Sequence, residues 1–429
     1  MLSSTYCVYP FTNLNSNTEG SVKLCCSINE NLHATADGEE LNFGKHSIED
    51  IWNSDYMQTV RKQMLNGERP EACRVCWDLE DKGVQSSRQS AFSEPGLAYA
   101  RGKEYRSIEP PLPQSLELRL GNFCNLRCNS CWSLSSDRIA DERTRMVDKV
   151  PEWLSKDWQY ELDLNKKANW RWWEDPEFDA TIAQLAPNLK RLYLTGGEPT
   201  LIKRNTEIMR QILDSGNKDC YIALTTNLTN WDDDFFNTMA EFNNGELQIS
   251  VDHVREQNEY IRFPTKWSKV EENLAKITVT FPVHWTIKHY TVYQAYNFDA
   301  VNLLLDWLHW YRSGFDYDHD RIYIWSPIIL DYPKYLNINM LPQVARREYT
   351  TWLKTEYRPP MQIKNLWYQH GIDQIVNLYN HDTVFEIDVE EQQRLQKQFV
   401  EYNDALDKQR KTNWRTTFPS VAKWISPDG

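Results

Sequence analysis

From Leu116 onward the apolar positions fall into short runs separated by amphipathic stretches. "LELRL", "LKRLYLT", "CYIALTTN", "ELQISVD", "VHWTIKHYTV" and "RIYIWSPII" each have the length and the aliphatic or aromatic content of a buried strand. Between several of them, apolar residues recur three and four apart. "EIMRQILDSG" places Ile208, Met209, Ile212 and Leu213 on one face and stops at Gly216, and "FDAVNLLLDWLHWY" repeats the pattern. Alternating strands and helices predict an α/β fold with a parallel sheet and right-handed crossovers. About six strands suit a partial (β/α)6 barrel rather than a closed eight-stranded one. Functional residues are then expected at the C-terminal ends of the strands.

The first hundred residues have a different rhythm. Tyr9, Phe11 and Leu14, then Val22 and Leu24, read as two short strands around a polar turn. "SIEDIWNSDYMQTVRKQMLNG" opens with Ser47 and Asp50 in capping positions, carries Met57, Val60 and Met64 on one face, and ends at Gly67, so it reads as one helix. These features divide the chain into an N-terminal hairpin and helix unit (1–95), a linker (96–114) and the barrel (115–340). An insertion occupies about 134–185, and a helical C-terminal region covers 341–429. Trp170, Trp172 and Trp173 in the insertion read first as packing it onto the barrel, with a lid or substrate platform as the alternative. Leu395, Phe399, Tyr402 and Leu406 form a packing stripe in the tail.

Acidic residues outnumber basic ones, 61 to 48, for a net charge of −13, which argues against a broad nucleic-acid or anionic-membrane footprint. The opening residues lack a basic region followed by an apolar run, and no stretch approaches the roughly 18 apolar residues of a membrane span. A cytoplasmic protein is expected. Nine cysteines make an odd number for a disulfide framework, and eight of them precede residue 132, so metal binding or chemistry is the better use.

"GNFCNLRCNSCW" places Cys124, Cys128 and Cys131 directly after a strand. Thiolates are the natural ligands of a four-iron cluster, and three of them leave one iron open to a small molecule. A zinc site is the competing reading, but such sites more often pair two CxxC units or add histidines, and none lies near these three.

A CxxxCxxC loop after the first barrel strand, followed by "GGEP" after the second, resembles the radical S-adenosylmethionine (radical SAM) enzymes. The resemblance implies that Cys124, Cys128 and Cys131 hold a [4Fe–4S] cluster whose open iron binds S-adenosylmethionine. The cofactor is then cleaved to a 5′-deoxyadenosyl radical that takes hydrogen from a substrate. It also implies cofactor contacts from Gly196, Gly197, Glu198 and Pro199, from Ser250, Asp252 and Arg262 in the "SxD…R" stretch, and from Asn227 at the end of "TTN". Ser130 stands where the family usually carries an aromatic residue, with Trp132 just after it.

Cys7 and Cys25 bracket the hairpin, with Gly20 between them, and Cys73 and Cys76 form a CxxC just past the helix. Four such thiolates can close a zinc site or ligate a second [4Fe–4S] cluster, and spacing leaves both open. The run "G…CC…IW…R…CxxC" is similar to SPASM/twitch auxiliary-cluster domains, which implies the cluster, although here the segment precedes the barrel. Cys26 reads as a bystander and Cys220 as a small core residue. The resemblance further implies a peptide or protein substrate, with a small metabolite or nucleoside as the alternative, and a flavodoxin- or ferredoxin-like electron donor. A non-catalytic iron–sulfur sensor is the reading from a different class. Lys288, His289, Tyr290, Tyr293 and Asp331 are candidate substrate-side acids or bases, though structural roles are the simpler reading for each.

Overall fold

The computed structural model describes residues 4–28, 34–36, 38–81, 83, 85–100, 105–315, 323–358, 372–373, 375–376 and 387–425. The chain divides into two compact units. Met1–Phe123, Lys167–Thr226 and Asp232–Glu246 form the first, and Cys124–Lys166, Asn227–Trp231 and Leu247–Gly429 the second.

The first unit contains strands β1 (Asn13–Ser16), β2 (Val22–Lys23), β3 (Thr35–Ala36), β4 (Glu39–Glu40), β5 (Ser115–Arg119), β6 (Arg191–Thr195) and β7 (Tyr221–Thr226). Its main sheet runs β2-β1-β5-β6-β7. β1 is antiparallel to β2 but parallel to β5, with Asn13 opposite Ser115 and Asn15 opposite Glu117. β5, β6 and β7 are parallel, and Leu116, Leu192 and Ile222 share one row while Leu118, Leu194 and Leu224 share another. All six of these side chains are buried. The alternate positions are Ser115, Glu117, Arg119, Arg191, Tyr193, Thr195, Tyr221, Ala223 and Thr225, polar but for Ala223. A parallel sheet sealed on both faces is apolar throughout, so this polar face marks the side where chemistry belongs.

Three sequence expectations change here. Tyr9–Thr12 is a helical turn started by Pro10, so only Leu14 of the predicted first strand lies in one. The single predicted helix is two, Ile48–Trp52 and Asp55–Leu65, because Ser54 caps the second through Met57 N, as Ser47 caps the first through Asp50 N. The described part of the linker is folded rather than loose. Pro95–Ala100 is a 3₁₀ stretch with Gly96, Leu97 and Ala100 buried, and just before it Glu94 accepts a 2.6 Å bond from Tyr9 Oη and faces Arg191 Nη2 at 3.5 Å. Residues 101–104 of it lie outside the described residues.

Arg61, fully buried, explains the "IW…R" run. Its guanidinium stacks 4.1 Å over Trp52 and donates to the carbonyls of Pro10 (2.8 Å), Trp52 (2.8 Å) and Ile108 (3.0 Å).

Trp172 packs not on the barrel, as expected, but on the N-terminal hairpin. Its indole N–H donates to Thr18 O at 3.0 Å, and its ring meets Phe178 edge-on at 4.8 Å. Gly20, at φ +90, makes room for it, since a Cβ there would stand 2.5 Å from the indole. Trp172 is 1% exposed, so Trp172→Ala is expected to cost about 3–5 kcal/mol in anaerobic denaturant unfolding.

In the second unit, β8 (Gly245–Ser250, which opens at the end of the first unit), β9 (Thr286–Tyr293) and β10 (Tyr323–Ile329) follow in order, and β9 and β10 are parallel. Helices Trp267–Thr280 and Val301–Phe315 connect them. The tail contributes Gln343–Thr355, Val389–Arg410, Trp414–Thr417 and Pro419–Ile425, and the Leu395, Phe399, Tyr402, Leu406 stripe is buried. This is the α/β fold with a mostly parallel sheet that the alternating pattern predicts. Among the described residues, no helix is long and apolar enough to cross a membrane.

Candidate functional site

The three-cysteine loop begins three residues beyond Gly121, after β5 ends. Cys124 N donates to Asp137 Oδ1 at 3.1 Å, which ties the loop to the capped start of helix Asp137–Met146, and Leu126 N points at Cys124 Sγ, 3.5 Å away. Cys131 N closes a turn on Cys128 O at 3.1 Å. Burial pushes the Cys128 thiol up to about 12 and raises Cys131 too, while the Arg262 guanidinium pulls both the other way. Ligand binding here must therefore release protons.

The segment Ile261-Arg262-Phe263 lies against this loop. Phe263 O accepts from Arg127 N at 2.6 Å and Ile261 O accepts from Asn129 N at 2.8 Å, so the neighbours of Arg262 bond the neighbours of Cys128. Arg262 Nε sits 2.8 Å from Asp252 Oδ2, and Asp252 Oδ1 accepts from Val292 N at 2.8 Å. Asp252 is fully buried, so its carboxylate faces Arg262 and the protein interior; Ser250 is half-buried at the end of β8. Asn227 is wired to the same loop: its Nδ2 donates to Asn125 Oδ1 at 2.9 Å, and its Oδ1 accepts from Thr229 N at 2.9 Å and Thr229 Oγ1 at 2.6 Å. Neither Asn125 nor Asp137 was picked out by sequence reasoning, although Asn125 lies inside the motif.

The "GGEP" turn is held from within. Glu198 is fully buried, and its Oε1 accepts from Thr200 Oγ1 (2.8 Å), Thr226 Oγ1 (2.8 Å) and Thr200 N (3.3 Å). Its backbone N donates to Phe123 O at 2.7 Å. Gly197 lies so close to Phe123 that a Cβ would fall 2.2 Å from that carbonyl oxygen. Pro199 opens a 3₁₀ turn, and Gly196 takes φ +113 beside Arg119. The motif thus docks onto the residue immediately before Cys124.

In the first unit, Cys7, Cys25, Cys73 and Cys76 line one cavity, together with Tyr9, Ser27 and Arg88. Cys76 lies in helix Arg74–Asp81 and Cys73 at the end of a 3₁₀ turn, not in a loop past the helix as expected. None of the nine cysteines forms a disulfide. Burial and the neighbouring thiols push Cys73 up to about 12, with Arg88 opposing, and Cys7 is driven up by the same causes. Tyr56 Oη is buried with no hydrogen-bond partner among the described residues, and Cys73 and Cys25 act on it electrostatically after burial itself. A sulfur acceptor in the cavity would satisfy that hydroxyl, so the residues fit an anionic group held by four thiolates. Among the described residues, no three His, Cys, Asp or Glu side chains are grouped to hold a single metal ion. Cys26 is exposed and Cys220 is buried.

Of the substrate-side candidates, His289 and Tyr293 are core residues. Burial against Trp307 holds His289 neutral, with its pKa down at about 3. Asp331 pairs with Lys334 at 2.6 Å on the surface.

Residues 118–308 match the Radical SAM superfamily, and residues 7–77 match SPASM, an iron-sulfur cluster-binding domain. No curated protein matches the chain. Among solved structures, anSMEcpe with bound AdoMet and the Cp18Cys peptide is 16% identical, with 49% of each chain covered and a TM-score of 0.30. For anSMEcpe with bound AdoMet the identity is 17%, over 62% of this chain and 60% of that one, at a TM-score of 0.31. Streptococcus suis SuiB bound to precursor peptide SuiA is 12% identical, over 66% of this chain and 58% of that one, at 0.34. The chain spans from about half to 60% of the length of these structures. Over residues 118–308 this chain carries a radical SAM superfamily domain, preceded in sequence by a SPASM iron–sulfur cluster-binding domain over residues 7–77.

Proposed function

We propose that this chain cleaves S-adenosylmethionine reductively and abstracts hydrogen from a peptide or protein substrate. The observation that carries the reading is how the cysteine loop is held within its own unit: the Arg262 segment bonds both neighbours of Cys128, and Asn227 holds Asn125. Cys124, Cys128 and Cys131 would hold a [4Fe–4S] cluster, which supplies the electron for cleaving the cofactor to a 5′-deoxyadenosyl radical. Arg262, with Ser250, receives the cofactor carboxylate; the fork suits it, and Asp252 fixes the guanidinium from behind. Gly196, Gly197, Glu198 and Pro199 are the remaining cofactor residues, in a turn that Glu198 braces through Thr200 and Thr226. Cys7, Cys25, Cys73 and Cys76 hold the auxiliary [4Fe–4S] cluster. A peptidyl substrate is supported by the auxiliary domain, an association of domain with substrate class.

The test is anaerobic reconstitution, then dithionite-driven formation of 5′-deoxyadenosine in the presence of a peptide library or a metabolite extract. Peptide-stimulated formation with a mass change on a peptide is expected; stimulation by the extract alone would remove the peptide reading. Tyr56→Phe is expected to leave iron content unchanged and to lower the auxiliary reduction potential, because a donor to cluster sulfur is lost. A redox titration followed by electron paramagnetic resonance (EPR) checks it.

A further inference from the structure

We propose that Arg410, on the C-terminal helix Val389–Arg410, is a positioning residue for the three-cysteine loop, fixing its backbone so that three thiolates face one group. The inference rests on the assignment of that loop to a cluster. Arg410 stands 279 residues beyond Cys131, at the end of a helix that reads from sequence as packing.

Its guanidinium makes four bonds at once. Nη1 donates to Asn129 Oδ1 at 2.6 Å, Nη2 donates to Arg127 O at 2.9 Å, and Nε and Nη2 form a fork on Glu142 at 3.0 and 2.6 Å. Arg127 and Asn129 are the two residues flanking Cys128. Tyr402, two turns earlier on the same helix, donates to Asn129 O at 2.7 Å, so side chain and carbonyl of Asn129 are both held from the tail. Asn129 Nδ2 meets Tyr296 Oη at 3.2 Å, and Tyr296 donates to Asn403 at 2.5 Å, which closes the network back onto the helix.

The Arg410 side chain is 5% exposed and Glu142 is 3% exposed, so these bonds are made away from water, where an unmade one is costly. Arg127 also faces Glu142, at 3.3 Å, and both guanidiniums stack at 4.9 Å on Phe263, whose carbonyl holds Arg127 N. Two cations therefore share one carboxylate beside the loop. The surplus positive charge stands where thiolates would collect negative charge. A residue that only anchored the tail would need neither the fork nor the bonds to both neighbours of Cys128.

The test uses the full chain, reconstituted anaerobically, as wild type, Cys124→Ala, Arg410→Gln, Arg410→Lys and Tyr402→Phe. Iron and sulfide are counted, EPR spectra are recorded on the reduced proteins with and without S-adenosylmethionine, and iron release to a chelator is timed. In Arg410→Gln, iron is expected to fall toward the Cys124→Ala content. Release from the three-cysteine cluster should be about 10–100-fold faster, the usual penalty for removing a residue that orients metal ligands. The auxiliary signal should persist as the folding control. Arg410→Lys should recover part of the loss, and Tyr402→Phe should show a smaller change in the same direction.

Wild-type iron content, spectrum and release rate in Arg410→Gln would overturn the proposal, even with a lowered melting temperature. Should that variant lose both clusters by unfolding, Tyr402→Phe decides, and wild-type release from it overturns the proposal. If Cys124→Ala itself loses no iron, it is the cluster assignment that fails.

Discussion

Formation of 5′-deoxyadenosine is expected to fall to background in Cys124→Ala while the auxiliary cluster stays loaded. Three ligands are the minimum that the loop offers a four-iron cluster, and Cys124 is the one whose position is set from both sides. Its amide is held by Asp137 and the preceding residue is held by Glu198 N. Removing its sulfur leaves that backbone in place but takes away one of only three thiolates, so the loss is chemical rather than structural. The four cysteines of the N-terminal set line their own cavity and share no ligand with this loop, so their iron should survive. The measurement is chromatographic detection of 5′-deoxyadenosine under dithionite, with iron counting on the same samples. Cys73→Ser should give the complementary iron loss, with the three-cysteine EPR signal intact. Cleavage persisting in Cys124→Ala would overturn the assignment.

What the sequence made legible was mostly local. β5, β6 and β7 declare themselves through consecutive aliphatic runs, and their strand-end residues carry the motifs. The cysteine quartet can be counted in the sequence, and its four members line one cavity. Pairings across long separations were not legible. Nothing in "NLNS" says that β1 will pair in parallel with β5, 102 residues away, rather than only with its hairpin partner. Trp172 gives no sign in sequence that its place is against Gly20, since an aromatic cluster packs equally well on any apolar surface. The setting of Glu198 is illegible for a related reason. A carboxylate in a cofactor motif invites a ligand role, yet Thr200 and Thr226 stand close enough to hold it inward, and only the fold brings Thr226 there. Tyr402 was placed on an apolar stripe correctly, but its hydroxyl reaches Asn129, which a helical wheel cannot show.

The second large effect is expected at Gly197, where alanine should cost both the cofactor site and several kcal/mol of stability. An added Cβ would lie 2.2 Å from Phe123 O, 2.8 Å from its carbonyl carbon and 3.1 Å from the carbonyl carbon of Asn122. These are backbone atoms, so no side chain can swing aside to relieve the overlap. The two loops cannot simply part, because Glu198 N, one residue on, bonds the same Phe123 carbonyl at 2.7 Å. Overpacking against movable neighbours costs about 1–3 kcal/mol, and a fixed carbonyl that must also surrender its hydrogen bond adds about 1 kcal/mol or more. Any shift of Phe123 is passed along the chain to Cys124, so S-adenosylmethionine binding should weaken even where the protein remains folded. Leu201→Ala, on an exposed side chain four residues later, is the control and should change neither property. Anaerobic denaturant unfolding and calorimetric titration with S-adenosylmethionine measure the two effects separately. Wild-type affinity in Gly197→Ala would mean that the loop docks on Phe123 without shaping the cofactor site.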